Sequence, residues 1–243
     1  MTLTGYYFIN GLLSLLTVST CFLVGLIMIL KYFQYRKKEL FYIGFAWMGI
    51  YQPWWPSAFV FLLNIFGVVN GGIDLGIYIL IGTMFLPFTA FAWFFGVTEM
   101  LLKEKKKLIV GIYVAITVLM DILIASLVFT GNSDTLGTID IIDADYGIIL
   151  IVYYLFMDVS VATTGILMGR KSLQSEIPQI RLKGKFLIAA PVCYILGGLL
   201  DVGLINFIPE LIILTRSILM LGSLLFYLGF LLPRPIEELF LKK

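Results

Sequence analysis

The stretch LLKEKKKLIVGIYVAITVLMDILIASLVFT (residues 101–130) sets a 23-residue run, Leu108–Thr130, with one charged side chain, Asp121, beside a cluster of four lysines. At 1.5 Å per residue such a run crosses a hydrocarbon core of about 30 Å as a helix. It is too long for a strand of a membrane barrel, which needs only about 10 residues of alternating polarity. Six further stretches read the same way: about Tyr7–Leu30, Leu40–Phe66, Ile77–Leu102, Tyr146–Gly169, Lys185–Asn206 and Leu211–Leu232. A chain that is 60% hydrophobic and 13% charged does not suit a soluble domain. The expected fold class is all-α: a polytopic membrane protein, a seven-transmembrane helix bundle over residues 1–232 with a short tail at 233–243.

The cations set the orientation. Of 17 Lys and Arg residues, all but Arg216 fall in or beside alternate gaps. Lys31 and Arg36–Lys38 follow the first span, Lys103 and Lys105–Lys107 the third. Arg170, Lys171, Arg181, Lys183 and Lys185 lie between the fifth and sixth or at the start of the sixth, and Arg234, Lys242 and Lys243 follow the seventh. The positive-inside rule puts those gaps in the cytoplasm and the N-terminus outside a cell membrane, with the C-terminus cytoplasmic. An odd number of spans demands the same inversion. The first span has no basic segment before it and too long an apolar run for a cleaved signal peptide, so it is expected to stay.

Several classes of chemistry are excluded. The chain has no histidine, which removes His-based zinc sites, a Ser-His-Asp triad and a phospho-accepting histidine. No glycine-rich phosphate loop is present. The seventh span has no lysine to carry a retinal Schiff base. Cys21 and Cys193 sit in apolar spans, away from any disulfide-forming loop. The basic clusters lack interleaved aromatics, so nucleic acid is not an expected partner. No cofactor, metal or enzymatic activity is expected.

Ionisable groups inside a bilayer are costly, about 2.5–3.5 kcal/mol for Asp or Arg at mid-helix, and they mark functional sites by default. Four stand out: Asp121, Asp158, Asp201 and Arg216. Glu99 lies one turn from a basic gap and is expected to reach the interface. Counting from the span ends puts Asp201 and Arg216 at one depth, about 8–9 Å into the outer half. Because successive spans are neighbours, an ion pair between them is expected. One Arg cannot neutralise three carboxylates, so Asp121 or Asp158 is expected to be protonated, hydrogen-bonded or facing water. Tyr194 shares the face of Asp201, and Tyr227 that of Arg216, at helical spacing.

The segment WMGIYQPWWPSAF (residues 47–59) carries Pro53 and Pro56, which remove backbone donors and kink the second span. Gln52, Trp54 and Trp55 lie at that kink, and Trp93 faces them from the third span, so an aromatic cavity for an apolar or cationic ligand is a candidate beside plain aromatic packing. Asp134, Asp140, Asp143 and Asp145 lie in one outer loop. Their spacing does not fit a calcium loop, and they read as a solvated acidic surface. The tail from Pro233 is amphipathic, with Ile236, Leu239 and Phe240 on one side, suited to a membrane surface or a docked partner.

Three regions together resemble the seven-transmembrane sensor region at the N-terminus of many archaeal and bacterial histidine kinases. They are RKKELFYIGFAWMGIY (36–51), FLPFTAFAWFFGVTEMLLKEKKK (85–107) and the run from RLKGKFLIAAPVCYILGGLLDV (181–202) to IPELIILTRSILMLGSLLFYLGF (208–230). The resemblance covers the seven-helix pattern without a kinase. It implies a receptor-like sensor that binds a small molecule in the bundle and signals through cytoplasmic loops or tail. Its partners would be the lipid bilayer, that ligand, and a cytoplasmic signalling protein or a second copy of the chain. The alternative is a small transporter moving ions or protons through Asp121 and Asp158. Size and Pro178–Gln179 are similar to PQ-loop sugar transporters, but YFQYRKKE (32–39) offers no matching pair in the first half.

Overall fold

The computed structural model describes residues 3, 5–204 and 211–241. In chain order the helices are α1 (Tyr6–Tyr35), α2 (Lys38–Ile50), α3 (Trp55–Ile65), α4 (Leu75–Thr83), α5 (Leu86–Leu101) and α6 (Lys106–Phe129). Two short strands follow, β1 (Gly137–Ile139) and β2 (Ala144–Tyr146), then α7 (Ile148–Leu173), α8 (Pro178–Leu204), α9 (Ile212–Leu231) and α10 (Arg234–Leu241). The protein is all-α apart from that hairpin. Among the described residues six helical segments are long and apolar enough to cross a membrane, with α4 and α5 counting as one of them. The expected end of the sixth span at Asn206, its link to the seventh, and Lys242 and Lys243 lie outside the described residues.

Two expected helices are each made of two pieces. The stretch 40–66 is α2 and α3 joined by a 3₁₀ turn at Gln52–Trp54. Pro53 and Pro56 cannot donate to the helical ladder, and both stand where a missing N–H does least harm, Pro53 in the turn and Pro56 in the first turn of α3. The stretch 77–102 breaks between Thr83 and Leu86, with Pro87 in the first turn of α5. Other helices outrun their apolar stretches. α1 continues to Tyr35 and α8 begins at Pro178, so Lys31, Arg181, Lys183 and Lys185 are helical residues.

The helices form a closed ring in which α1 packs on α2, α2 on α5, α5 on α7, α7 on α8, α8 on α9, and α9 back on α1. α6 sits outside the ring against α5; along its 24 residues only Thr117 and Ile124 are buried. Close approach follows from facing glycines, as expected for helices that must associate without a hydrophobic drive. A Cβ on Gly44 would stand 2.8 Å from Gly25 O, and one on Gly184 2.8 Å from Gly169 O. A buried stripe of Asn10, Ser14 and Thr17 at helical spacing turns the polar face of α1 into the bundle. Glu99 pairs with Lys106 at 2.6 Å and with Lys103 at 3.4 Å.

Candidate functional site

Arg216 organises the end of the ring that carries the start of α1 and the β-hairpin, here termed the N-terminal face. Its side chain has no exposed surface. Nη1 donates to Asp201 Oδ2 at 2.8 Å, so α8 and α9 are joined by the ion pair that their depths suggest. Trp54 Nε1 donates to the same oxygen at 2.6 Å, and Thr215 Oγ1 to Oδ1 at 3.3 Å. The guanidinium carbon lies 5.7 Å from the centre of the Trp54 ring, within cation–π range. Among the described residues Nε has no partner.

Asp143 is the second carboxylate on Arg216, and it corrects the reading of a uniformly solvated acidic loop. Asp134, Asp140 and Asp145 are exposed, whereas the Asp143 side chain is 35% exposed and turned inward. Its Oδ2 lies 3.5 Å from Arg216 Nη2 and accepts from Asn10 Nδ2 at 3.2 Å. Its Oδ1 accepts from Tyr78 OH at 3.1 Å, Ser57 Oγ at 3.3 Å and its neighbour Ala144 N at 3.0 Å. One carboxylate thus ties α1, α3, α4 and α9 to the hairpin. Buried Ile142 anchors the same turn against Val60, Phe61 and Tyr78. Gly137 is required at its position: its φ is +148° and a Cβ would stand 2.3 Å from Asp145 O.

Beneath the hairpin lies a cleft of about 210 Å³ that opens on the N-terminal face. Tyr6, Trp54, Tyr146 and Tyr154 give it aromatic walls, and Asp140, Asp143 and Asp145 stand at its mouth. Tyr146 OH donates to Pro53 O at 3.1 Å and Tyr154 OH to Gly82 O at 3.1 Å. Both acceptors lie at the helix breaks; Pro53 O belongs to the 3₁₀ turn that the prolines create. The breaks therefore build the cleft wall. Asp201 and Asp158 also line it, Asp158 deeper, with its Oδ1 accepting from Tyr194 OH at 2.5 Å.

Under Asp158 the ring is filled by aromatic side chains. Trp47, Tyr51, Trp93, Tyr194 and Phe226 are all buried to 1% exposure or less. Trp47 stacks on Phe226 at 3.5 Å, and their polar tips are satisfied within the bundle: Trp47 Nε1 by Ser223 Oγ at 2.8 Å, Tyr51 OH by Leu219 O at 2.9 Å, Trp93 Nε1 by Thr164 Oγ1 at 2.9 Å. The aromatic residues around the kink thus serve in two ways. Trp54 lines the cleft, and Trp93 belongs to the layer that closes it below.

The structure gathers Asp158, Asp201, Arg216, Tyr194 and Trp54 about one cleft. It does not bring the other candidates there. Asp121 stands on peripheral α6, one carboxylate oxygen buried without a partner among the described residues, and does not line the cleft. Trp55 packs between Phe22 and Phe85, and half-buried Tyr227 packs against the core. Gln52 is buried and donates to Ile81 O at 3.0 Å, tying the 3₁₀ turn to α4. Asn10, Ser57, Tyr78 and Asp143 escape a reading based on charge within spans. The one sequence signal for them is the helical spacing of Asn10 and Ser14 in a mostly apolar helix, a pair joined here at 3.3 Å.

Compared with protein-family models, with curated proteins and with solved structures, the chain matches none.

Proposed function

We propose that the protein is a receptor-like sensor of the cell membrane that binds a small ligand in the cleft and transmits the change through α8 and α9. The observation that carries this reading is a polar, aromatic-walled cleft open on one face and backed by a packed aromatic layer. A binding site needs an entrance, convergent polar groups and a floor. A translocation path needs a second opening.

In this reading α2 and α3 together make one further span, the second of seven. The positive-inside rule then sets the cleft outside and the lysine-rich turns in the cytoplasm. Asp201 and Arg216 couple the cleft to α8 and α9, whose far ends meet on the basic face. There Lys183 Nζ donates to Phe230 O at 3.0 Å, and Gln179 Nε2 donates to Glu237 of α10 at 3.1 Å. A ligand that alters the Arg216 contacts thus has a packed route to the amphipathic tail, the surface offered to a cytoplasmic partner. Ion or proton transport is supported less well, because it needs Asp121 and Asp158 on one wet path and only Asp158 lines the cleft.

The test is a thermal-shift screen of small molecules on the full chain in lipid nanodiscs, paired with flux measurements in proteoliposomes. The receptor reading expects compounds that raise the melting temperature of the wild type but not of Trp54→Ala, and no flux of protons, cations or sugars. Protein-dependent flux abolished by Asp158→Asn would replace it with the transport reading.

A further inference from the structure

We infer that the cleft takes a small organic cation, an ammonium group on an apolar or aromatic body, with Asp158 as its counter-ion. The inference rests on reading the cleft as a ligand site and adds the chemistry of the ligand. Five aspartates contribute to the cleft lining, and no Lys or Arg does. Among the described residues the one cation at hand is Arg216, already held by Asp201 and Asp143. An anionic ligand would therefore meet like charge from the lining, with no free cation among the described residues to receive it.

Asp158 is the carboxylate left over. Tyr194 holds its Oδ1, and among the described residues no cation pairs with it and no hydrogen bond reaches Oδ2. Opposite Oδ2 stands Gly198, where a Cβ would meet only Asp158 Oδ2 at 3.7 Å and Trp54 at 3.9 Å. The glycine thus leaves open space beside the free oxygen. A carboxylate in an apolar setting is costly unless paired, and an ammonium seated there would supply the missing charge.

The walls suit the same ligand. Trp54 and Tyr154 present ring surface near Asp158, and aromatic faces attract cations. A metal ion fits worse: among the described residues no three metal-ligating side chains converge. The volume of about 210 Å³ is below that of pockets for drug-sized ligands, about 300–1,000 Å³, which limits the guest to a compact molecule.

The experiment titrates three isosteric probes of different charge, 2-phenylethylammonium, 2-phenylethanol and phenylacetate, into the full chain in nanodiscs, read by calorimetry and tryptophan fluorescence. The ammonium is expected to bind at least tenfold more tightly than the alcohol, and phenylacetate more weakly than both. Asp158→Asn, which keeps an acceptor for Tyr194, is expected to erase the preference for the ammonium over the alcohol. Asp134→Asn, outside the cleft, is expected to leave it unchanged, and melting temperatures show that both variants fold. Equal affinity for the three probes, or a cation preference that survives Asp158→Asn, overturns the assignment while leaving the cleft a ligand site. The assignment also falls if no probe binds but other compounds stabilise the protein. A cleft that no compound of any charge occupies removes the receptor reading as well.

Discussion

Arg216 is buried among apolar side chains with two carboxylates from distant parts of the chain, Asp201 from α8 and Asp143 from the hairpin. Removing one partner from a buried pair leaves an uncompensated charge and costs about 3–5 kcal/mol. Arg216→Ala is therefore expected to lower the melting temperature sharply, and Arg216→Ala with Asp201→Asn to recover part of the loss. A double-mutant cycle read by thermal unfolding in detergent checks this, and simple additivity would show that the two are not energetic partners. Asp143→Asn keeps the shape of the side chain and removes its charge. It is expected to speed hydrogen exchange in residues 137–146 while leaving α7 protected; unchanged exchange would mean that Ile142 packing alone holds the hairpin. Asp143 also shows where residue-level reading stops. An acidic residue in a polar loop looks solvated in any linear view, and only the fold brings Arg216, Asn10 and Tyr78 around it. Asp201 and Arg216 were legible because equal depth on successive helices is a property of the sequence itself.

At the scale of elements, helix contacts rest on backbone approach. Gly184→Ala would drive a Cβ to 2.8 Å from Gly169 O, so it is expected to separate α7 from α8 and lower stability. Gly111→Ala on the outer face of α6 meets nothing within 4 Å and gains helix propensity, about 1 kcal/mol. Thermal unfolding of the two variants should move in opposite directions, and equal shifts would contradict the packing scheme. Hydropathy made these elements legible because a bilayer needs continuous apolar length. It could not show their ends, since it reads the thickness of the apolar slab rather than the length of a helix; α8 begins well before Lys185. The prolines announced a distortion in the second span, but whether a kink or a full break results depends on what satisfies the freed groups. Here Tyr146 takes Pro53 O, and a residue from the far side of the chain decides the outcome.

For the whole molecule, the ring of helices divides into a polar cleft at one end, a packed aromatic middle and a basic end. Helix α6, outside the ring, carries Asp121 away from the cleft that Asp158 lines and so separates two carboxylates that look equivalent in sequence. The proposed receptor requires a cleft reached from outside the cell and closed toward the cytoplasm. The most direct measurement is cysteine accessibility at Gly198 in a background lacking Cys21 and Cys193, since Gly198 has room for a side chain and lies on the cleft wall. In intact cells, Gly198→Cys should react with a membrane-impermeant cationic thiol reagent added outside, while Ser223→Cys, within the aromatic layer, should stay unreactive from both sides. Reaction of Gly198→Cys only with reagent supplied to inverted vesicles, or equal reaction from both sides, would contradict it.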